Sequence, residues 1–264
     1  MNARIGASWC LVLAATLVFF AAAGTADEIP FPERRSGYEF MSRETRMMQD
    51  DDAGNPGMLW VLDGEALWNK KAGAADRACS DCHRDARESM KAVAARHPAF
   101  DATLRRPVNL EQRINLCRTG RQKAPPLAFE SRELLALTAY VARQSRGLPI
   151  SIAIDARSKP FLDAGSEAFH RRQGQLNLAC SQCHDDNWGK RLAGSLIPQA
   201  HPTGYPLYRL EWQGLGSLER RLRNCLVGIR AEPYAYGAPE FVDLELYLMW
   251  RANGMKIETP AVRP

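Results

Sequence analysis

Apolar residues along this chain recur at the spacing of helices. The clearest stripes are Leu134, Leu135, Leu137, Thr138 and Val141, and then Val242, Leu244, Leu246, Leu248 and Met249. Each predicts a helix with one face against a neighbour, because residues three and four apart lie on the same side. Two earlier stretches, Gly64 to Trp68 and Gly165 to Phe169, read as helices whose glycine lets another backbone approach closely. No segment alternates like a strand for long.

The stripes come in pairs. Gly64-Glu65-Ala66-Leu67-Trp68 precedes Cys79 by the same fifteen residues by which Gly165-Ser166-Glu167-Ala168-Phe169 precedes Cys180, and Gly73 matches Gly174. His97-Pro98 is paired with His201-Pro202, and Leu110-x-x-Arg113-x-x-x-Cys117 with Leu218-x-x-Arg221-x-x-x-Cys225. Leu137-x-x-Tyr140, ending at Gly147, matches Leu244-x-x-Tyr247, ending at Gly254. The period is near 104 residues, which indicates a duplicated domain, since solenoid repeats run at about 20 to 50.

The N-terminus changes the residue count that matters. Arg4, the apolar run Trp9 to Ala23 and small residues ending at Ala26 have the three parts of a secretory signal, so residues 1–26 are predicted to be removed on export. No later run is long enough to predict a membrane span in the mature chain. Cys10 leaves with the signal, and Trp9 before it is too bulky for a lipoprotein cleavage site. Residues 27–59, rich in charge and turn formers, read as an N-terminal extension. Residues 60–150 form domain 1, and 151–264 form a linker, around 151–160, and domain 2. Loss of Arg4 takes the net charge from +5 to +4, too mild to predict a nucleic-acid partner.

Six cysteines remain, and they carry the chemistry. Cys79-Ser80-Asp81-Cys82-His83 and Cys180-Ser181-Gln182-Cys183-His184 are c-type haem attachment motifs: two thiols add to the haem vinyl groups and the histidine ligates iron. Zinc knuckles would sit about 15 to 20 residues apart, whereas these motifs are 101 residues apart and both end in histidine. Two covalently bound haem c groups are therefore expected, and with them the periplasm, because such haems are attached outside the cytoplasm. The order of helix, motif, loop, cysteine helix and last helix resembles the class I cytochrome c fold. The predicted class is all-α, with two tandem domains of that kind.

In an ordinary cytochrome of this fold a methionine lies opposite the histidine. Here cysteines occupy that interval: Cys117 follows His83 by 34 residues, and Cys225 follows His184 by 41. Met90 is too near its motif, while Met249 sits on an apolar helix and reads as core; Met255 is the other methionine available to the second half. His97 and His201, each followed by proline, read as hydrogen-bonding residues. Thiolate ligation at both irons is thus preferred, His83 with Cys117 and His184 with Cys225, over a Cys117–Cys225 disulfide, which would require equivalent points of two domains to face each other. Arg221 stands one turn before Cys225 on the same helix face, where a guanidinium lowers the thiol pKa and offers a planar fork to an oxyanion. Arg220, Arg223 and Arg230 add positive charge nearby.

These motifs, together with Gln49-x-Asp51-Asp52-x-x-Asn55-Pro56 in the extension, resemble the SoxA family, the dihaem subunits of the SoxAX cytochromes of bacterial thiosulfate oxidation. The resemblance covers nearly the whole mature chain. It implies that the second haem is the active one, that Cys225 ligates its iron and can carry a persulfide, and that Arg221 helps to bind substrate. It implies an L-cysteine S-thiosulfotransferase reaction in which thiosulfate is joined to a cysteine of a SoxYZ-like carrier and two electrons pass to an electron-accepting cytochrome c. The implied partner is a SoxX-like monohaem subunit, in a heterodimer. Some relatives replace the first haem with a disulfide, but Cys79, Cys82, His83 and Cys117 are all present here. The rival readings are a dihaem electron carrier without a substrate, which would want a methionine on each iron, and a dihaem peroxidase, which would keep one iron open.

Overall fold

A computed structural model describes residues 29–192 and 194–264. The expected signal, residues 1–26 with Cys10, lies outside the described residues. Among the described residues ten α-helices carry the fold: α1 Arg43–Asp50, α2 Met58–Asn69, α3 Ser80–His83, α4 Ala86–Ser89, α5 Leu110–Cys117, α6 Arg132–Arg143, α7 Lys159–His170, α8 Cys180–His184, α9 Leu218–Gly228 and α10 Pro239–Arg251. Short strands lie between them: β1 Ala99–Asp101, β2 Arg106–Val108, β3 Arg191–Leu192, β4 Ser195–Leu196, β5 Leu207–Arg209, β6 Gly214–Gly216 and β7 Val262–Arg263.

In each half the first and last helices cross, α2 on α6 and α7 on α10. The glycines make the crossing possible. A methyl group at Gly64 would collide with the carbonyl of Ala136, and one at Gly165 with the carbonyl of Asp243, so the backbones meet where a side chain would otherwise hold them apart. Tyr140 and Tyr247 pack over these two contacts. The apolar stripes are buried as expected: Leu134, Leu135, Leu137 and Val141 in α6, and Val242, Leu244, Leu246 and Leu248 in α10. Each buried leucine contributes about 1.5 to 3 kcal/mol of apolar transfer.

The strands are a departure from the sequence reading. With two or three residues each, they are too short to display a period of two, so alternation could not reveal them. They nevertheless join the halves. The β1–β2 hairpin of the first half places Phe100 against Phe161 of α7, with ring centroids 6.3 Å apart, and the β5–β6 hairpin of the second half places Tyr208 against Trp60 of α2 at 5.9 Å. Leu215 on β6 is buried in the first core, and Ala95, just before β1, in the second. Each half thus lends its hairpin to the other under an approximate twofold relation.

The hairpins also correct one pairing read from the sequence. Asp101 pairs across its hairpin with Arg106, and eight residues after it Asn109 caps α5; Arg209 pairs with Gly214, and eight residues after it Ser217 caps α9. The counterpart of His97-Pro98 is therefore Tyr205-Pro206, four residues beyond His201-Pro202. The second half carries extra residues in this loop, including the β3–β4 hairpin, and the shared His-Pro dipeptide obscured them.

The N-terminal extension is a strap between the halves. Asp52 receives Arg143 and Arg146 at 2.7 and 2.8 Å, while Asn55 donates to the Pro260 carbonyl at 2.9 Å and Gln49 accepts from the Val262 N–H at 3.1 Å. Gln49, Asp52 and Asn55, which make these ties, are among the residues that carried the family resemblance in this segment. The segment expected as a linker is also packed, with Ile152 buried in the second core and Ile154 against it.

Candidate functional site

In the first half, α3 is a single turn that starts beside Cys79 and ends at His83. The loop before it is tied to the end of the cysteine helix: the Ala74 and Ala75 N–H groups donate to the carbonyls of Lys123 and Gln122. Gly73, at φ +68, makes that approach possible, since a side chain would strike the Gln122 carbonyl. The second half repeats the device, with Gly174 at φ +71 and the N–H groups of Gln175 and Leu176 bonded to Arg230 and Ile229. Motif and cysteine helix are thereby held face to face twice.

Between them in the first half lies a largely apolar cavity of about 1040 Å³, open mouth included, with Cys79, Cys82, His83 and Cys117 on its walls. That volume is at the upper end for small-molecule sites. Burial pushes both Cys79 and Cys117 thiols upward, although Arg113 and Arg121 act the other way on Cys117. Arg113 does not face this cavity as a bare cation: Asp101 on β1 holds it at 2.8 Å. Met90 lies in the core at the cavity wall, and the His97 ring bonds the Val93 carbonyl through Nδ1 at 2.8 Å.

In the second half, His184 Nδ1 lies 2.6 Å from the Pro198 carbonyl. A carbonyl can only accept, so Nδ1 carries the proton and Nε2 presents its lone pair. That edge of the ring faces Cys225 on α9. Burial opposes ionisation of Cys225, but the His184 contact and the positive charges of Arg221 and Arg209 outweigh it and hold the thiol below its usual range. Cys180, by contrast, is pushed up to about 12 by burial and by the neighbouring Cys225.

Around the Cys225 sulfur the charges differ from those around Cys117. Arg221 forms no ion pair among the described residues, and the carboxylate that neutralises its counterpart is missing: at the position of Asp101 stands Arg209. Arg209 is tethered from outside by Glu211 at 3.2 Å and lies over Trp212, but its Nε is buried without a partner. The basic residues Arg220 and Arg223 are engaged elsewhere, Arg220 on Trp212 with Glu130 at 3.8 Å, and Arg223 on Tyr236 and the Tyr234 carbonyl. Arg230 lies two residues beyond the end of α9, at φ +57. The sequence reading missed Arg209 and Tyr205. The signal was present in counting back from the caps Asn109 and Ser217, which aligns Arg209 with Asp101.

The remaining ligand candidates are occupied. His201 bonds the Arg35 carbonyl at 3.0 Å and is pushed down to about 4 by burial. Met249 is buried on α10, and Met255 packs against the second core. The six cysteines among the described residues form no disulfide, so Cys117 and Cys225 are not joined.

Paired thiols beside a histidine, a soft sulfur opposite, and a deep apolar cavity suit covalent haem, and no cluster among the described residues suits another metal. With first and last helices crossed beside each motif, this defines a c-type cytochrome built of two cytochrome c domains. A family profile, SoxA/TsdA cytochrome c domain, matches residues 63–150 and 164–257. The chain is 40% identical over 235 residues to the L-cysteine S-thiosulfotransferase subunit SoxA of Pseudaminobacter salicylatoxidans, covering 89% of this chain and 82% of that protein. It is 36% identical to the subunit of the same name from Rhodovulum sulfidophilum, covering 88% and 81%. The crystal structure of SoxXA from P. pantotrophus superposes with a TM-score of 0.84 at 31% identity, covering 88% of this chain and 87% of that one. The chain belongs to the SoxA family.

Proposed function

We propose that this chain is the haem-bearing, sulfur-handling subunit of a periplasmic L-cysteine S-thiosulfotransferase. It is exported by a cleaved signal, carries two covalent haem c groups and pairs with a SoxX-like monohaem cytochrome. His83 with Cys117 and His184 with Cys225 would hold the two haem irons, and Cys79, Cys82, Cys180 and Cys183 would carry the thioethers. The haems, when bound, would supply electron acceptance and onward transfer to an electron-accepting cytochrome c.

The active centre is the second half. The observation that carries this choice is the Cys225 sulfur beside unneutralised Arg221, set against Cys117 beside an Arg113 already paired with Asp101. Thiosulfate and a thiolate are both anions, so their approach requires positive charge that is not already paired. Arg221 supplies it. The Cys225 thiolate and the outer sulfur of thiosulfate then form a sulfur–sulfur bond with loss of two electrons, leaving Cys225 as an S-thiosulfonate. A cysteine thiolate of the SoxYZ-like carrier attacks the sulfur bonded to the sulfonate, takes it as carrier S-thiosulfonate, and releases Cys225 as thiolate. Overall, thiosulfate and one carrier thiol give the conjugate, one proton and two electrons.

The test is thiosulfate-dependent cytochrome c reduction by the holoprotein with its carrier, and it separates an enzyme from an electron carrier. Cys225→Ser should abolish it while both haems stay attached. An undiminished rate would leave only the electron-carrier reading. Intact mass should show two haems on the mature chain; a gain of one would remove the second site.

A further inference from the structure

Three groups around the second-half cysteine have hydrogen-bonding capacity that the protein itself does not use. Arg221 makes no ion pair and its side chain no hydrogen bond among the described residues, Arg209 keeps its Nε buried and unpartnered, and the Tyr205 hydroxyl has no bonding partner there. Arg221 stands one turn before Cys225 on α9, Arg209 ends β5 at the position from which Asp101 reaches Arg113 in the first half, and Tyr205, four residues before it, acts electrostatically on Arg221, Arg209 and the Cys225 sulfur, so the three share one locale. A buried guanidinium nitrogen without an acceptor is costly, because its lost hydration is not repaid. Such a group, beside a reactive sulfur, calls for an acceptor that completes the contact.

The elements hold this geometry firmly. Tyr205 and Arg209 flank the start and end of β5, which is paired on one side with β6 and on the other with β7, and the Leu210 N–H is bonded to the Arg263 carbonyl. Arg221 comes from the first turn of α9, whose cap Ser217 follows directly on β6. Glu211 and Trp212 hold the outer side of the Arg209 guanidinium. The first half has the same hairpin and helix, but there the strand residue is Asp101 and it occupies Arg113. One change of sign at one strand position separates a neutralised site from an anion site.

We propose that Arg209 is the second arm of the substrate clamp, gripping with Arg221 and the Tyr205 hydroxyl the sulfonate oxygens of thiosulfate so that the outer sulfur lies at Cys225. The inference rests on the function proposed above and names the residues that recognise the anion. Sulfonate has three oxygens, and two guanidiniums with one hydroxyl supply donors to all three. Arg209 touches the non-reacting end of the substrate, so it governs capture more than the bond-forming step.

The experiment uses the complete haem-loaded complex with its carrier. It measures KM for thiosulfate and kcat separately, together with the midpoint potentials of both haems. Arg209→Gln should raise KM for thiosulfate about tenfold or more, the scale of a lost charge-assisted contact, with a smaller fall in kcat. Arg209→Lys should recover part of that loss, and Tyr205→Phe should raise KM about threefold, the scale of one neutral hydrogen bond. If Arg209→Gln fails to fold or load haem, Arg209→Lys and Tyr205→Phe carry the same test. An unchanged thiosulfate KM in the Arg209 variants overturns the inference. So does a shifted potential of the second haem with KM intact, because Arg209 would then be serving a haem propionate. Should Arg221→Ala also leave the thiosulfate dependence intact, the parent reading of this site fails; should Arg221→Ala be crippled while the Arg209 variants are normal, only the clamp fails.

Discussion

The two halves of this chain share one fold and one set of motifs, yet they frame different chemistry. Around Cys117 an arginine is closed off by Asp101; around Cys225 the same arginine is open and a second one replaces the aspartate. The first thiol is raised by burial, whereas the second is lowered because His184, Arg221 and Arg209 outweigh burial. Duplication therefore supplied two similar frames, and in the function proposed here a difference in charge, more than any difference in fold, decides which receives an anion.

The comparison is broken most directly at the cysteines. Cys225→Ser should remove thiosulfate-dependent turnover, while Cys117→Met should leave a working sulfur site and raise the potential of the first haem, because a neutral thioether no longer favours ferric iron. Potentiometric titration of the two variants checks this, and an unmoved first potential would show that Cys117 is not its ligand.

A smaller effect sharpens the same contrast. Arg221→Ala should lower kcat/KM for thiosulfate by about tenfold or more, whereas Arg113→Ala should change it by less than about threefold, since Arg113 is bound to Asp101. Steady-state assays of both decide it, and equal losses would mean that the two sites are not specialised.

The helix crossings should respond alike. Gly64→Ala and Gly165→Ala each force a methyl group against a facing carbonyl, and each should cost about 1 to 3 kcal/mol by denaturant titration of the holoprotein. A large loss at one and none at the other would break the structural equivalence.

The smallest effect concerns the seam between the halves. Glu111 and Glu219 occupy equivalent positions, the second residues of α5 and α9, and burial raises them to about 8 and about 7; Glu245 is raised there too. Asn109 bonds both Glu219 and Glu245. An acid whose folded pKa is raised holds its proton more tightly when folded, so stability is full below the unfolded value near 4.3 and is lost as pH rises through about 7 to 8. The melting temperature should therefore fall by a few degrees between pH 6 and pH 9, and Glu111→Gln should flatten that fall. A profile of Glu111→Gln as steep as the parent's would place the titration elsewhere.

Much of this protein was legible in one dimension. The haem motifs, the apolar stripes and the Arg221–Cys225 pair all lie within a few helical turns of their partners in sequence, and local spacing is what periodicity records; the crossing glycines showed by their equal offset before the two motifs. It also determined the family, because the motifs recur in order through both halves. The tertiary structure decided the rest. Strands of two and three residues carry no readable period, so neither the exchange of hairpins between halves nor the alignment of Asp101 with Arg209 could be seen until the ladder pairings fixed the register. The His-Pro dipeptide pointed four residues away from the true counterpart. Whether an arginine is free or neutralised depends on which residue faces it across a sheet and a helix, and that is a property of register and packing that a count along the chain does not contain.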